Sequence, residues 1–355
     1  MSVPRLRLAL AVAVAACDRP PESPEGVPDP EPQHTGVAET GAPPTAPPDP
    51  TGPVDPPDHT GTPDPTADPL PPPLPACPAF DAPVRVGTTP LFVLDEASGL
   101  AASRRNPDVL WSHNDSGSGP ELHAFTPRLT GGQLGTFRLD GADADDWEDL
   151  AVGPGPDPAL TYVYVGDIGD NGRDRDTVQV YRVAEPAVAV GGGAFQGGRI
   201  SAVERFELQY PNGPRDAEAL MVDPVQGDVY VVVKDGSGAT PVYRAAAPLV
   251  AGAPNAMTEV AVLSFGVAPL AGDTLVTAAD ITADGSEIAI RTYDAAFAWR
   301  RVAGASIADA LATDPCPIPQ AAEGQGEAFG YWQDGQGYFT VGEGSATWVN
   351  SYSRQ

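Results

Sequence analysis

The stretch Glu218-Ala-Leu-Met-Val222 decides how this chain is read, because segments of the same kind recur along it. The others are Glu96-Ala-Ser-Gly-Leu100, Glu148-Asp-Leu-Ala-Val152, Asp280-Ile-Thr282 and Glu327-Ala-Phe-Gly-Tyr331. Each opens on an acid and continues into small or apolar residues, the composition of a short strand buried on both faces. Successive copies lie roughly 50 to 70 residues apart, a spacing used by repeated β units. Each is followed by a turn and a second strand that ends in a polar cluster. The clusters are His113-Asn-Asp-Ser-Gly117, Gly166-Asp-Ile-Gly-Asp-Asn171, Lys234-Asp-Gly236, Arg291-Thr-Tyr-Asp294 and Gly342-Glu-Gly344. A third strand usually follows, as at Glu121–Thr126, Val178–Val183, Val242–Ala245 and Ala296–Arg300.

Working outward, β-branched and aromatic runs mark further strands at Val109–His113, Leu160–Val165, Val229–Val233, Glu287–Ile290 and Tyr338–Val341. Gln226-Gly-Asp228, Asp284-Gly285 and Asp334-Gly335 are turn signals between them. Asn255–Leu263 and Ala303–Ala312 read as short helices, the second with the better pattern. One such unit cannot bury both sheet faces alone, so the units must stack around an axis. The expectation is an all-β domain, a single β-propeller of five blades over residues 77–355. Val84–Val93 would supply the missing last strand and close the ring. A copy hidden between Ala187 and Arg215 would make six blades.

In a propeller the start of the inner strand and the end of the second strand share one face. The repeat therefore brings Glu96, Asp115, Glu148, Asp167, Glu218, Asp280, Glu327 and Glu343 towards one mouth, with Lys234 and Arg291 among them. Strand alternation leaves open which of them point inward. Crowded carboxylates repel, and a hard cation removes that repulsion; an oxygen-only set selects Ca²⁺ or Mg²⁺ over zinc. Asp143-Ala-Asp-Asp-Trp-Glu-Asp149 is the densest carboxylate source, and Asp170-Asn-Gly-Arg-Asp-Arg-Asp176 has partial likeness to a calcium loop. The alternative is that these acids cap loops by accepting backbone N–H groups.

Glu96-Ala-Ser-Gly-Leu100, Trp111-Ser-His-Asn-Asp-Ser-Gly117, Asp146-Trp-Glu-Asp-Leu-Ala151 and Gly166-Asp-Ile-Gly-Asp-Asn171 together resemble a group of exported bacterial propellers of unassigned function. More distantly, residues 80–355 are similar to calcium-dependent phytase-like and gluconolactonase-like propellers. The resemblance implies architecture. The catalytic residues of those enzymes have no one-to-one match here, and none is carried over.

The N-terminus reads as an address. Arg5 and Arg7 precede an apolar run, Leu8–Ala16, too short to span a bilayer. It ends in Val14-Ala-Ala-Cys17, which resembles the bacterial lipobox, with residues 1–16 as signal peptide and Cys17 as lipid anchor. An ordinary secretory signal cut near Ala16 is the other reading. Residues 17–76 hold 21 of the 42 prolines and lack apolar periodicity, so they read as a disordered, extended linker. Arg19 is the linker's only positively charged residue; His34 and His59 are read as solvated bystanders. Of three cysteines, Cys77 and Cys316 remain, as one disulfide of an oxidising compartment or as two buried thiols.

The formal charge of −28 excludes nucleic acid as a partner and repels anionic membrane surfaces, which leaves lipidated Cys17 as the membrane contact. The sequence carries no Gly-x-Ser-x-Gly elbow and no phosphate loop, and His113 and His123 lack zinc spacing. The function expected is an exported, monomeric, lipid-anchored module of the cell envelope that binds a small-molecule or protein ligand, with Ca²⁺ at an acidic mouth. The alternative is a metal-dependent hydrolase of a phosphoester or lactone. There Glu148 or His113 would be the base, and Lys234 and Arg291 would hold anionic oxygens. Lys234 and Arg291 read equally as salt-bridge partners of the acids, and His113 as a strand residue hydrogen-bonded near a turn.

Overall fold

The computed structural model describes residues 76–115, 117–129, 132–191, 195–266 and 274–355. The expected signal peptide, Cys17, the linker up to residue 75 and Ser116 of the first polar cluster lie outside these residues.

The regular structure of the described residues is almost entirely strand. β1 (Val84–Thr88) comes first. β2 (Ala97–Ala102), β3 (Leu110–Asn114), β4 (Glu121–Phe125) and β5 (Gln133–Leu139) form an antiparallel meander. β6 (Trp147–Gly153), β7 (Tyr162–Asp167) and β8 (Val178–Ala184) form the next. The chain then sends β9 (Gln196–Ile200) to the outer edge of β5, in parallel, before β10 (Glu204–Gln209) pairs with β8. β11 (Ala217–Val222), β12 (Val229–Val233), β13 (Thr240–Ala245) and β14 (Pro254–Leu263) make a third meander. β15 (Val276–Ile281), β16 (Glu287–Thr292), β17 (Ala296–Arg300) and β18 (Cys316–Ile318) make a fourth, with helix α1 (Ile307–Leu311) before its last strand. β19 (Gly326–Tyr331), β20 (Gly337–Gly342) and β21 (Trp348–Ser353) complete the chain, and β1 returns to pair with β21.

Hydrogen bonding joins these strands into four sheets, because a parallel pair between β10 and β14 fuses the second and third meanders into one eight-stranded sheet. The inner strands β2, β6, β11, β15 and β19 are buried along their whole length and neighbour one another in a closed circuit. That circuit is the axis of a propeller. The apolar core lies between successive meanders. Trp111 and Leu122 meet Leu150 and Val163, for example, and Tyr164 and Val180 meet Leu220 and Val231. The last meander closes on the first through Phe339, Val341 and Val349 against Leu100, Leu110 and Phe125. Cys77 and Cys316 are disulfide-bonded, with Cα atoms 5.5 Å apart, so the segment entering β1 is tied to β18.

Two expectations change here. Asn255–Leu263, read as helical, is strand β14, because it is paired on both sides, with β13 and with β10. Residues 187–215 supply β9 and β10, which extend the outer edges of existing sheets. The second expected helix contains α1, opened by Ser306 and Asp309 in a reciprocal capping box.

Candidate functional site

Every inner strand carries a bulge near its start, where one extra residue breaks register with the second strand. The unpaired residues are Ser98 with Gly99, Glu148, Glu218, Thr277 and Glu327. Two of the five are hydroxyls used within the ring. Ser98 donates to the Glu148 carbonyl, and Thr277 donates to the Gly326 carbonyl at 2.7 Å. The three glutamates line a cavity of about 180 Å³ at this end of the axis.

Glu96, Asp115, Asp146 and Glu343 also line the cavity, with Lys234 as its one cationic side chain and Asn171, Tyr293 and Gln325 as polar neighbours. Asp146, Asn171, Tyr293 and Gln325 are not among the residues individually expected at the mouth. Asp146 lies in the carboxylate-rich run, Asn171 and Tyr293 lie in the second-strand polar clusters, and Gln325 lies in neither. The Asp146 backbone is held on both sides: its N–H donates to Asp167 at 3.2 Å and its carbonyl accepts from Gly169. Among the described residues, Asp115, Asp146 and Glu148 each offer an oxygen within 4.8 Å of the others. Gly169 makes this approach possible. A Cβ there would lie 2.3 Å from Glu148 Oε1 and 2.5 Å from Asp146 Oδ2.

The electrostatics follow from burial and crowding. Glu148 is almost fully buried, and its side-chain hydrogen bond is to another carboxyl group, Glu218. Burial first, then Glu218 and Asp115, push its pKa far above the usual carboxylate range. Burial with Asp115 and Glu218 lifts Asp146 to about 6, and burial with Glu218 lifts Glu327 to about 7. Lys234 Nζ lies 2.5 Å from Glu218 Oε1 and 5.5 Å from the centre of the Tyr293 ring. Burial opposes the charge on Lys234, but Glu218 outweighs it and raises the ammonium pKa.

Four of the residues expected at the mouth lie elsewhere. Asp167 is fully buried behind the cavity; it pairs with Arg175 at 2.9 Å and accepts from Asp145 and Asp146, so it braces the loop that presents Asp146. Asp280 belongs to the far end of the axis, where it accepts from the Ile281 and Tyr331 amides at 2.8 Å. The bulge residue of its strand is Thr277, three positions earlier. Arg291 is fully buried, donating to the Ala328 carbonyl at 2.8 Å and to Glu323 at 2.9 Å. It can hold no ligand oxygen at the mouth. His113 is also fully buried, with Nδ1 2.9 Å from the Asn114 carbonyl and its ring edge-on to Trp147. Burial lowers its pKa, and it has no access to a substrate in the cavity. The hydrolase reading thus keeps Glu148 and Lys234 and loses two of its four groups. The Asp170 carboxylate accepts from the amides of Asp174 and Arg175, which makes that loop self-capped.

No protein-family model matches the chain, and no curated protein matches it. Among solved structures, "Structure of U3-55K" is 10% identical, with a TM-score of 0.39, over 78% of this chain and 100% of that one. "Crystal Structure of Mitotic Checkpoint Complex" is 15% identical, with a TM-score of 0.34, over 72% of this chain. The alignment spans 62% of that second chain, less than two thirds of its length. Similarity at this level carries no argument about function, and the propeller assignment rests on the closed circuit of inner strands. Among the described residues, no helix is long and apolar enough to cross a membrane.

Proposed function

We propose that this chain is an exported, lipid-anchored binding module, a five-bladed propeller whose acidic mouth holds one divalent cation, Ca²⁺ by its ligand chemistry. The blade count is supported by five buried inner strands and five apolar clusters, each between neighbouring meanders. The observation that carries the cation is the Asp115–Asp146–Glu148 group, whose buried member has a second carboxyl group as its side-chain partner. Carboxylate oxygens within 4.8 Å of one another can share an ion held at about 2.3 to 2.6 Å. An all-oxygen set favours a hard cation, and the partial exposure of Asp115 and Asp146 leaves coordination positions for water or ligand. Export and the tether are supported by the signal-like run at Leu8–Ala16 and by Cys17 after it.

The test is calorimetry and thermal melting of the EDTA-treated domain titrated with Ca²⁺. At a hundredfold excess over Kd, one site adds about 2.7 kcal/mol, or roughly 5 to 10 °C in Tm. Glu148→Gln and Asp146→Asn are expected to abolish that gain while retaining a folded domain. Glu148→Gln is also expected to raise the melting temperature of the metal-free form at neutral pH, since the wild-type carboxyl must take up a proton to be buried there and glutamine does not. Melting indifferent to EDTA and Ca²⁺ overturns the cation reading. In a second arm Cys17→Ser is expected to move the protein from the membrane to the soluble fraction; unchanged membrane association overturns the tether.

A further inference from the structure

Beside the acidic mouth runs a short segment, Thr89–Asp95, that links β1 to β2, and its exposed residues are the wrong ones for a simple connection. Phe92 is 80% exposed and Leu91 is 50% exposed. Phe92 also has a φ of 61°, in the left-handed region that bulky side chains avoid. Glycine or asparagine would close the same turn with less strain and less apolar surface. The segment is not a loose loop. Thr89 donates to the Thr347 carbonyl at 2.9 Å, the Val93 carbonyl accepts from Asn114 at 2.7 Å, and the Asp95 carbonyl accepts from Gly344 at 3.0 Å. Three of these anchoring residues, Asp95, Asn114 and Gly344, are the chain neighbours of Glu96, Asp115 and Glu343, which line the mouth. Trp348, 47% exposed, pairs in register with Thr88 at the end of β1. A rigid apolar lip therefore borders the most acidic surface of the domain.

We infer that the lip and the mouth together dock a cationic segment of another protein, with an arginine or lysine over the carboxylates and an adjacent apolar side chain on Leu91 and Phe92. This rests on the binding-module reading and names its partner. Charge complementarity selects the occupant. Seven carboxylates and one lysine line the cavity, so one divalent cation still leaves a negative excess. The same argument excludes two other occupants. A second copy of this chain carries a formal charge of −28, and the Pro-rich linker has Arg19 as its only positive residue.

The experiment measures binding of a fluorescent peptide carrying two arginines, each next to a leucine, in a Gly/Ser background. Two controls replace the arginines by glutamate or the leucines by serine. All titrations are run in Ca²⁺ and in EDTA, at low and high NaCl. The arginine–leucine peptide is expected to bind, more weakly in high salt, and each control about tenfold more weakly. Phe92→Gly is expected to weaken binding by about tenfold, the loss typical of an aromatic anchor, while leaving Tm unchanged or higher because the turn relaxes. Glu343→Gln is expected to weaken binding of the arginine–leucine peptide and leave Ca²⁺ binding in place. Absence of binding to the wild-type domain, indifference to arginine–glutamate reversal, or indifference to Phe92→Gly each overturns the inference. Loss of Ca²⁺ binding with intact peptide discrimination overturns the cation reading and leaves this one standing.

Discussion

Asp149→Ala is expected to be among the most damaging single substitutions in the domain. Asp149 follows the bulge residue Glu148, and its carboxylate is fully buried on the axis. One oxygen accepts from its neighbour Leu150 at 2.8 Å; the other accepts from Leu220 at 2.9 Å and from Ala279 at 3.2 Å. One side chain thus ties β6 to β11 and β15 by accepting from the backbone N–H groups of Leu220 and Ala279. Each buried N–H left without an acceptor costs about 1 to 3 kcal/mol, so three give about 3 to 9 kcal/mol. The lost carboxylate no longer has to be kept out of water, and burial had already pushed its pKa well up, so part of that cost is returned. The net expectation is about 4 kcal/mol, a large share of the roughly 5 to 15 kcal/mol that holds a domain folded. Urea unfolding followed by tryptophan fluorescence reads it directly, since Trp147 lies two residues away and is buried. The midpoint should fall with little change in slope. Asp149→Asn, which keeps one acceptor oxygen, should lie between wild type and alanine. A midpoint for Asp149→Ala within about 1 kcal/mol of wild type would refute the claim that this carboxylate pins the inner strands.

Two further perturbations test the ends of the same structure. Asp280, at the far end of the axis, has its pKa raised by burial to about 6, with nearby Arg104 opposing the rise. A carboxyl with a raised folded pKa stabilises the fold below its unfolded pKa and loses that contribution as pH rises through the folded one. Relative to Asp280→Asn, the wild type is therefore expected to lose about 2 kcal/mol between pH 4 and pH 7, measured as urea midpoints across that range; parallel pH profiles would contradict it. The Cys77–Cys316 bridge closes a sequence separation of 239 residues, for which the chain-entropy relation gives about 5 kcal/mol. Cys77→Ser with Cys316→Ser should lower stability by about 3 to 5 kcal/mol and speed amide exchange in β1 and β21, and equal protection in both forms would rule out a closing role.

Much of the architecture was legible because it is periodic. The five acid-led segments fall on or beside the five inner strands, and Val84–Thr88, the first half of the Val84–Val93 segment expected from its position, closes the last sheet. What was not legible depends on pairing across long separations. Asn255–Leu263 has apolar residues that fit a helix, and only β10 and β13 on either side make it a strand. Arg291 and Lys234 both end a second strand, so the sequence treats them alike. Arg291 is instead drawn under the surface by Glu323, a carboxylate that is itself held by Thr340 and Asn350.

The site was misread for one local reason, the bulge. Aligning the repeats on acids puts Glu96 and Asp280 beside Glu148, Glu218 and Glu327, whereas the extra unpaired residue in those two strands is Ser98 or Thr277. A bulge shifts the alternation of one strand by a residue without changing its composition, so the shift leaves no mark that a pattern of apolar positions can show. Its chemical consequence is specific. Where the unpaired residue is serine or threonine, the hydroxyl is short enough to bond the next inner strand's carbonyl, and the ring is stitched. Where it is glutamate, the longer side chain reaches past that carbonyl into the cavity. Ring closure and lining of the cavity are thus alternative uses of one structural position. The acidic mouth is lopsided because two of the five units spend that position on the ring, and the cluster at Asp115, Asp146 and Glu148 forms where such a unit, with Ser98, meets the first that does not.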